Sequence, residues 1–280
     1  MNKTIIIAGG DRRFAAAARY FSDKNSNVIR IYDGTTNSAD GITADVLILP
    51  VPVSKNGKYL FAPGSTDNIP LEKLATLINK GGTVFGGKAD QNIVKMFTDS
   101  GANFIDYNSD EEFTIKNAML TAEGAVMTAI SLTDTALFRQ NILIIGFGRI
   151  GKSLARILGG FGADVTAAAR RSESRAWAEI YGCKSVSING MKNRCGKYSI
   201  IFNTVPSLVI DEDMISNLDK NTLIIDLASA PGGTDFAAAK KAGLNTLHYT
   251  GVPGKVSPVT AGTIAAQTVE RLLDTVKREE

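Results

Sequence analysis

Short apolar runs alternate with amphipathic segments along most of the chain. Runs such as residues 4–8 and 142–145 are typical of buried parallel strands, whereas residues 71–79 place leucine and isoleucine on one face of a predicted helix. Because strand-like and helix-like segments alternate, the pattern predicts an α/β fold whose parallel sheets are covered by helices.

The predicted elements form two successive sets. The predicted strands are residues 4–8, 28–32, 45–49, 83–85 and 103–105, then 142–145, 164–169, 200–204, 223–227 and 246–248. The predicted helices include residues 12–21, 71–79, 91–98, 121–136 and 260–277. Residues 54–68 are rich in glycine, proline and polar side chains, which predicts a loop.

A chain of 280 residues usually holds two domains. We predict two doubly wound parallel-sheet domains joined by long helices: an N-terminal flavodoxin-like domain over residues 1–120 and a Rossmann domain over residues 121–260. The last helix, residues 261–280, is expected to pack back on the first domain. This plan resembles the formate/glycerate dehydrogenase architecture, which implies a substrate cleft between the domains.

The most informative motif is a glycine-rich segment after the strand at 142–145. Gly146, Gly148 and Gly151 have the spacing G-x-G-x-x-G, with Phe147, Arg149 and Ile150 between them. In a dinucleotide-binding turn these glycines permit the tight turn, the approach of a pyrophosphate, and close packing of helix on strand. The strand before the motif and the helix after it favour a dinucleotide site over a simple tight turn.

The end of the next strand indicates which dinucleotide binds. An NAD site has a carboxylate there for the ribose 2′-hydroxyl, but this chain has Arg170, Arg171 and Ser172. Asp164 comes too early and is expected at the start of the strand. Because arginine binds phosphate in a bidentate manner, the sequence predicts NADP, although the arginines could instead be solvated loop charges.

The remaining composition narrows the class of protein. The net charge is +3 and the basic residues are dispersed, which does not indicate a nucleic-acid partner. No apolar run approaches the ~20 residues that span a bilayer, and the N-terminus lacks the pattern of a signal peptide. Cys183 and Cys195 have no metal-ligand spacing, so we expect reduced thiols, a cytoplasmic location and no metal site.

Several unusual segments follow predicted strands, where a substrate would bind. They are Gly9-Gly10-Asp11 with Arg13, Asn203-Thr204-Val205-Pro206-Ser207, Asp226-Leu227-Ala228-Ser229, Pro231-Gly232-Gly233-Thr234-Asp235-Phe236, Pro253-Gly254 and Thr260-Ala261-Gly262. Asp11 could instead cap a helix, and Thr260 could cap the last helix. Glu123, in Thr121-Ala122-Glu123-Gly124, is either a first-turn carboxylate that complements the helix dipole or an acid/base group. His248 is the only histidine, and a histidine–carboxylate pair cannot be placed.

Together with the glycine motif, these segments resemble the family of dipicolinate synthase A subunits of spore-forming bacteria, in order along nearly the whole chain. The resemblance implies an oxidoreductase that converts a dihydro- or hydroxytetrahydro-dipicolinate from the lysine pathway to pyridine-2,6-dicarboxylate. NADP⁺ would accept the hydride, and the flavoprotein-like B subunit of dipicolinate synthase would be the partner, in the cytoplasm of the mother cell. No nucleic-acid or membrane partner is implied, and a homodimer is left open.

The residue chemistry assigns tasks within that reaction. Two carboxylates must be held, which suits Arg13 and Thr260 with the hydroxyls of Ser207, Ser229 and Thr234. Glu123 or Asp235 would take the proton. The predicted cofactor-binding residues are Gly146, Phe147, Gly148, Arg149, Ile150, Gly151, Arg170, Arg171, Thr204, Val205 and Pro206.

Three other interpretations stay open. The chain could be an NADP-dependent reductase of the 2-hydroxyacid dehydrogenase type, although the missing histidine–carboxylate pair disfavours it. It could be a non-catalytic subunit that binds the dinucleotide. It could also be a hydrolase with tightly held NAD, which Arg170 and Arg171 disfavour.

Overall fold

The structure, a computed structural model, describes residues 3–24, 26–34, 41–192 and 195–279. The chain divides into two compact units, which are treated separately. Unit 1 comprises Met1–Lys116 and Ser257–Glu280, and unit 2 comprises Asn117–Val256. One boundary falls inside a long helix and the other lies directly before the last helix.

Unit 1 is built on a parallel sheet. Its elements in chain order are β1 (Thr4–Ala8), α1 (Arg12–Ser22), β2 (Asn27–Ile31), β3 (Ala44–Ile48), α2 (Leu71–Ala75), β4 (Ile78–Gly86), α3 (Gln91–Asp99) and β5 (Asn103–Asp106). The strand order is β2-β1-β3-β4-β5, which is the flavodoxin-like order. The predicted class of the first domain is therefore confirmed.

Unit 2 has the Rossmann order. After α4 (Glu111–Ser131) come β6 (Asn141–Ile145), α5 (Arg149–Gly160), β7 (Asp164–Ala168), α6 (Ser172–Ile180), β8 (Lys184–Val186), α7 (Ile188–Lys192), β9 (Ile200–Asn203), α8 (Glu212–Ser216), β10 (Leu223–Asp226), α9 (Phe236–Lys241), β11 (Asn245–His248) and α10 (Val252–Val256). The parallel strands lie in the order β11-β10-β9-β6-β7-β8. This is the 3-2-1-4-5-6 order viewed from the opposite edge, which confirms the Rossmann prediction.

The last helix, α11 (Pro258–Glu279), belongs to unit 1. Its buried positions Ala265, Ala266, Val269 and Leu273 share a core with Phe14, Ala17 and Phe21 of α1. A β-carbon on Gly262 would lie 2.0 Å from the carbonyl oxygen of Arg13. Glycine is therefore what lets α11 approach the start of α1 so closely.

Three helix predictions are wrong at their ends. The helix predicted over residues 71–79 stops at Ala75, because Ile78 pairs with Ala44 and begins β4. The helix predicted over residues 121–136 spans Glu111–Ser131, with Asp110 accepting a hydrogen bond from the Phe113 amide at 2.8 Å. The last helix begins at Pro258 rather than Thr260.

Candidate dinucleotide-binding site

The turn between β6 and α5 depends on two glycines that leave no room for a side chain. Gly146 has φ +91°, and a β-carbon there would lie 2.3 Å from Thr204 Oγ1. A β-carbon on Gly151 would lie 2.2 Å from the carbonyl oxygen of Gly146. Both positions are therefore restricted to glycine by the protein's own packing.

Gly148, the middle glycine, is exposed and faces open space. A β-carbon there would meet nothing within 4 Å, so the fold itself does not require glycine at this position. Gly148 is the N-cap of α5 and offers no capping side chain. The start of α5 thus presents backbone N–H groups and the positive end of the helix dipole, the arrangement that binds pyrophosphate.

A cavity of about 570 Å³ opens beside this turn. It lies at the carboxyl ends of β6, β7, β8 and β9. The described residues that line it are Gly146, Phe147, Gly148, Ala169, Arg170, Arg171, Ser174, Ser187, Ile188, Asn189, Val205, Pro206, Ser207 and Val209. Most of the cofactor residues predicted from the sequence are therefore brought together here.

The other predicted cofactor residues lie next to the cavity rather than in its lining. Arg149, Ile150 and Gly151 form the first turn of α5. Thr204 holds the turn in place, since its amide and its hydroxyl both donate to the Ile145 carbonyl, at 2.8 and 3.0 Å.

The charged side chains in the described lining of the cavity are all positive. Among the described lining residues, the charged ones are Arg170 and Arg171, both exposed. Asp164 is the first residue of β7, at the end far from the cavity, where it lies 3.7 Å from Lys184. The prediction that Asp164 starts this strand is confirmed. The cavity therefore presents guanidinium groups where an NAD site would present a carboxylate.

Sequence reasoning missed Ser174, Ser187, Ile188 and Asn189. Ser174 lies in the first turn of α6, and the other three follow β8. β8 has only three residues, Lys184–Val186, so its apolar signal is weak. The available signal was topological: a third parallel strand beside β7 brings its following loop to the same edge of the sheet.

The loop after β9 has a rigid backbone. Asn203 is fully buried, and its side-chain amide donates to the Val205 carbonyl and accepts from the Val205 amide, both at 3.0 Å. A β-carbon on Gly233 would lie 2.3 Å from the Val205 carbonyl oxygen and 2.6 Å from that of Ser207. Ser207 remains exposed in the cavity lining.

Asp226, at the end of β10, organises the next loop. It is fully buried, and Oδ1 accepts from the Ala228 amide at 3.0 Å. Oδ2 accepts from the Gly233 amide at 2.8 Å and from the Thr234 hydroxyl at 2.7 Å. The structure thus places Thr234 in a buried structural hydrogen bond.

The neighbouring candidates have different surroundings. Ser229 is exposed. Asp235 is the N-cap of α9, where its carboxylate accepts from the Ala238 amide at 2.9 Å. His248 Nε2 lies 2.9 Å from the Ala228 carbonyl oxygen, to which it donates, and the ring packs against Phe236.

Glu123 lies in the interior of α4 and is exposed. Its interpretation as a first-turn carboxylate is wrong, because the helix begins at Glu111. Packing explains the glycine at position 124, because a β-carbon on Gly124 would lie 2.3 Å from a methyl group of Val252.

Arg13 and Thr260 belong to unit 1. Arg13 pairs with Asp11, Nε to Oδ1 at 2.8 Å and Nη2 to Oδ2 at 2.9 Å, and Nη2 also donates to the Val51 carbonyl. Burial acts to raise the pKa of Asp11, but the hydrogen bonds and charge of Arg13 outweigh it and lower that pKa. Asp11 also caps α1, which was one of the two interpretations that the sequence left open. Thr260 is exposed in the first turn of α11, so the prediction that it caps this helix is wrong.

Among the described residues, no cluster of three or more His, Cys, Asp or Glu side chains is arranged to hold a metal ion. Cys183 and Cys195 are both free and buried, and burial raises the pKa of the Cys183 thiol to about 11. No helix in the described part of the chain combines the length and apolar character needed to cross a membrane.

Comparison with protein families divides the chain in two. Residues 4–108 match the N-terminal domain of the dipicolinate synthase A subunit. Residues 113–232 match the NAD-binding domain of D-isomer specific 2-hydroxyacid dehydrogenases.

Individual relatives match the chain from end to end. The dipicolinate synthase A subunit of Bacillus subtilis (strain 168) is 27% identical over 99% of this chain and 97% of its own length. The crystal structure of the dipicolinate synthase A subunit from Bacillus halodurans matches with a TM-score of 0.88 and 29% identity, over 98% of both chains. The crystal structure of the corresponding protein from Bacillus subtilis matches with a TM-score of 0.87, over 100% of this chain and 98% of that one.

The glycine turn fits a nicotinamide dinucleotide, and the family match agrees with that assignment. The chain is therefore a homologue of the dipicolinate synthase A subunit over its whole length, as its motifs predicted, and its second domain is similar to the NAD-binding domain of 2-hydroxyacid dehydrogenases.

Proposed function

We propose that the chain is the NADP-dependent subunit of a dipicolinate synthase of spore-forming cells. It oxidises a dihydro- or hydroxytetrahydro-dipicolinate from the lysine pathway to pyridine-2,6-dicarboxylate, in the cytoplasm of the mother cell. The observation that carries this proposal is the end-to-end similarity to the dipicolinate synthase A subunit. The intact glycine turn and the cavity of about 570 Å³ beside it support the proposal.

NADP is the proposed cofactor. Arg170 and Arg171 supply guanidinium groups for a 2′-phosphate, and the start of α5 supplies N–H groups for the pyrophosphate. When bound, the oxidised nicotinamide supplies the hydride acceptor. The loop at Thr204, Val205 and Pro206 is proposed to lie against its nicotinamide end, since that loop follows β9 at the same edge of the sheet.

The dehydrogenation step removes one hydride and one proton from a dihydro-dipicolinate and leaves the aromatic pyridine. Water is lost beforehand from the hydroxytetrahydro form. Aromatisation favours loss of the hydride, so the protein's main task is to orient the ring and accept the proton. Glu123 and Asp235 are the proposed candidates for the proton acceptor. Asp235→Asn is a suitable test variant because asparagine also caps helices.

In unit 1, Arg13 and Thr260 are proposed to bind a carboxylate of the substrate, and in unit 2 the proposed carboxylate ligands are Ser207 and Ser229. Thr234 is not proposed here, because its hydroxyl already donates to the buried Asp226. Arg13 Nη1 takes no part in the hydrogen bonds to Asp11 and Val51, which use Nε and Nη2. If Arg13→Ala left the KM for the dicarboxylate unchanged, its part in this assignment would be wrong.

The flavoprotein-like B subunit of the synthase is the proposed partner. We expect the purified chain, mixed with this partner, NADP⁺ and freshly generated hydroxytetrahydro-dipicolinate, to form pyridine-2,6-dicarboxylate and NADPH in equal amounts. Product absorbance and chromatography measure both. Loss of kcat in Glu123→Gln or Asp235→Asn would identify the proton acceptor.

The same assay separates the alternatives. Oxidation of NADPH with glyoxylate or pyruvate, without formation of the pyridine dicarboxylate, would contradict the proposal and favour a 2-hydroxyacid reductase. The flavoprotein-like partner on its own could form the product at a rate that does not change when this chain is added. That result would favour a non-catalytic dinucleotide-binding subunit.

Cofactor preference is tested by reversing one charge. We expect Arg170→Asp to raise the Kd for NADPH about 10- to 100-fold, since a charge-assisted hydrogen bond contributes about 1.5–3 kcal/mol. The Kd for NADH should stay the same or fall, because the new carboxylate can accept from the ribose 2′-hydroxyl. Trp177, the single tryptophan, lies on α6 and can report binding by energy transfer to the reduced nicotinamide.

Arg156→Asp is the matched control. It makes the same charge change on an exposed position of α5, outside the described lining of the cavity. Both affinities should stay close to those of the wild type. Equal preference for NADPH in the wild type and in Arg170→Asp would contradict the assignment of the 2′-phosphate to this arginine.

A further inference from the structure

We propose that Arg175 is a positioning residue for NADP selectivity: it holds the Ala169–Arg170–Arg171 backbone so that the two preceding arginines can bind the 2′-phosphate. The inference rests on the proposed NADP function and deepens it. Arg175 is half-buried on α6 and is not among the described residues that line the cavity. It therefore acts through the residues it holds.

The contact that carries the inference is a single nitrogen bridging two carbonyls. Arg175 Nη1 donates to the Ala169 carbonyl at 3.2 Å and to the Arg170 carbonyl at 2.9 Å. Ala169 and Arg170 both line the cavity at the end of β7. The planar, rigid guanidinium fixes the direction of both peptide groups, which a flexible ammonium group does less well.

The same backbone is held from two other sides. The Ala169 amide donates to the Val186 carbonyl at 3.1 Å, which ties it to β8. Arg171 is the N-cap of α6, and its carbonyl accepts from the Arg175 amide at 3.3 Å. Because the backbone of this segment is fixed at both ends, its conformational freedom is left to the side chains of Arg170 and Arg171.

Arg175 also affects the electrostatics of this edge. Two carbonyl oxygens beside a bound phosphate would repel it, because both carry partial negative charge. Hydrogen bonding to a guanidinium covers these oxygens and adds a positive charge behind the segment. NADH has a hydroxyl in place of the 2′-phosphate, so its binding should depend much less on this contact.

The test compares Arg175→Met, Arg175→Lys and the control Arg156→Met, measuring the Kd of NADPH and of NADH for each folded variant. We expect Arg175→Met to raise the Kd for NADPH about tenfold, the loss of roughly one charge-assisted contact, and to change that for NADH less than twofold. Arg175→Lys keeps the charge without the planar fork, so its loss should be intermediate. Arg156→Met should leave both values unchanged.

A merely structural role for Arg175 predicts a different result. Both affinities would then fall together, in proportion to the fall in Tm, and the ratio of the two Kd values would stay constant. That result would overturn the inference, as would an unchanged NADPH affinity in Arg175→Met. If Arg175→Met does not fold, the ratio in Arg175→Lys decides in the same way.

The wild-type measurement separates this inference from the function on which it rests. A wild-type chain that binds NADH as tightly as NADPH would refute the proposed cofactor preference, and the inference with it. A wild-type chain that prefers NADPH, with an unchanged preference in both Arg175 variants, would refute the inference alone.

Discussion

Replacing Gly151 by valine should abolish dinucleotide binding, with a Kd for NADPH at least 100-fold above the wild-type value, a loss of about 2.8 kcal/mol or more. The β-carbon alone would lie 2.2 Å from the Gly146 carbonyl oxygen, a backbone atom that no side-chain rotation can move away. Either α5 shifts away from β6 or the turn opens. In both cases the N–H groups at the start of α5 no longer converge on the pyrophosphate.

Gly159→Ala is the matched control for this variant. Gly159 lies near the end of the same helix, is exposed, and has nothing within 4 Å of a β-carbon. Its stability should stay the same or rise by up to about 1 kcal/mol, because alanine favours helix over glycine. Binding of NADPH by Gly151→Val within threefold of the wild type would show that the turn does not contact the dinucleotide.

Replacing Asp226 by alanine should destabilise unit 2 by about 3–5 kcal/mol, one of the largest effects expected for a single substitution. The carboxylate is fully buried and accepts three hydrogen bonds, from the Ala228 and Gly233 amides and the Thr234 hydroxyl. Without it, three donors lose their acceptor inside a site that water reaches poorly. Urea denaturation followed by Trp177 fluorescence reports on this unit directly.

Two further variants test whether the loss of stability comes from the hydrogen bonds of the Asp226 carboxylate. Asp226→Asn should be intermediate, since an amide keeps one acceptor oxygen but turns a donor toward another donor. Asp164→Ala removes an exposed carboxylate 3.7 Å from Lys184 and should change stability by less than about 1 kcal/mol. A loss below 1 kcal/mol in Asp226→Ala would contradict the structural role of this network.

Most of the strands were predictable because parallel, buried strands form continuous apolar runs. β6, β7, β9 and β10 lie within a residue of their predicted bounds at either end, and the motif glycines lie in the predicted turn. Helix ends were harder to predict. Ile78 continues the apolar face of the helix before it, yet it pairs with Ala44 as a strand, because tertiary pairing overrides a local helical pattern.

Several motif residues are explained by packing or hydrogen-bond contacts that a single sequence does not reveal. Gly262 allows α11 to contact the Arg13 carbonyl, and Gly124 makes room for Val252. Thr234 donates to Asp226, eight positions earlier in the chain. Each of these contacts depends on a partner residue that only the folded chain identifies.

By itself, the sequence determined the alternation of strands and helices, the glycine turn, and the arginines where an NAD site has a carboxylate. These features are encoded locally, by periodicity and by the backbone freedom of glycine. Only the tertiary structure decided that the loop after β8 completes the cavity, that Arg13 is paired with Asp11, and that Arg175 holds the segment before α6. These contacts depend on the order of strands in a sheet and on the direction of side chains, which hydrophobic periodicity does not specify.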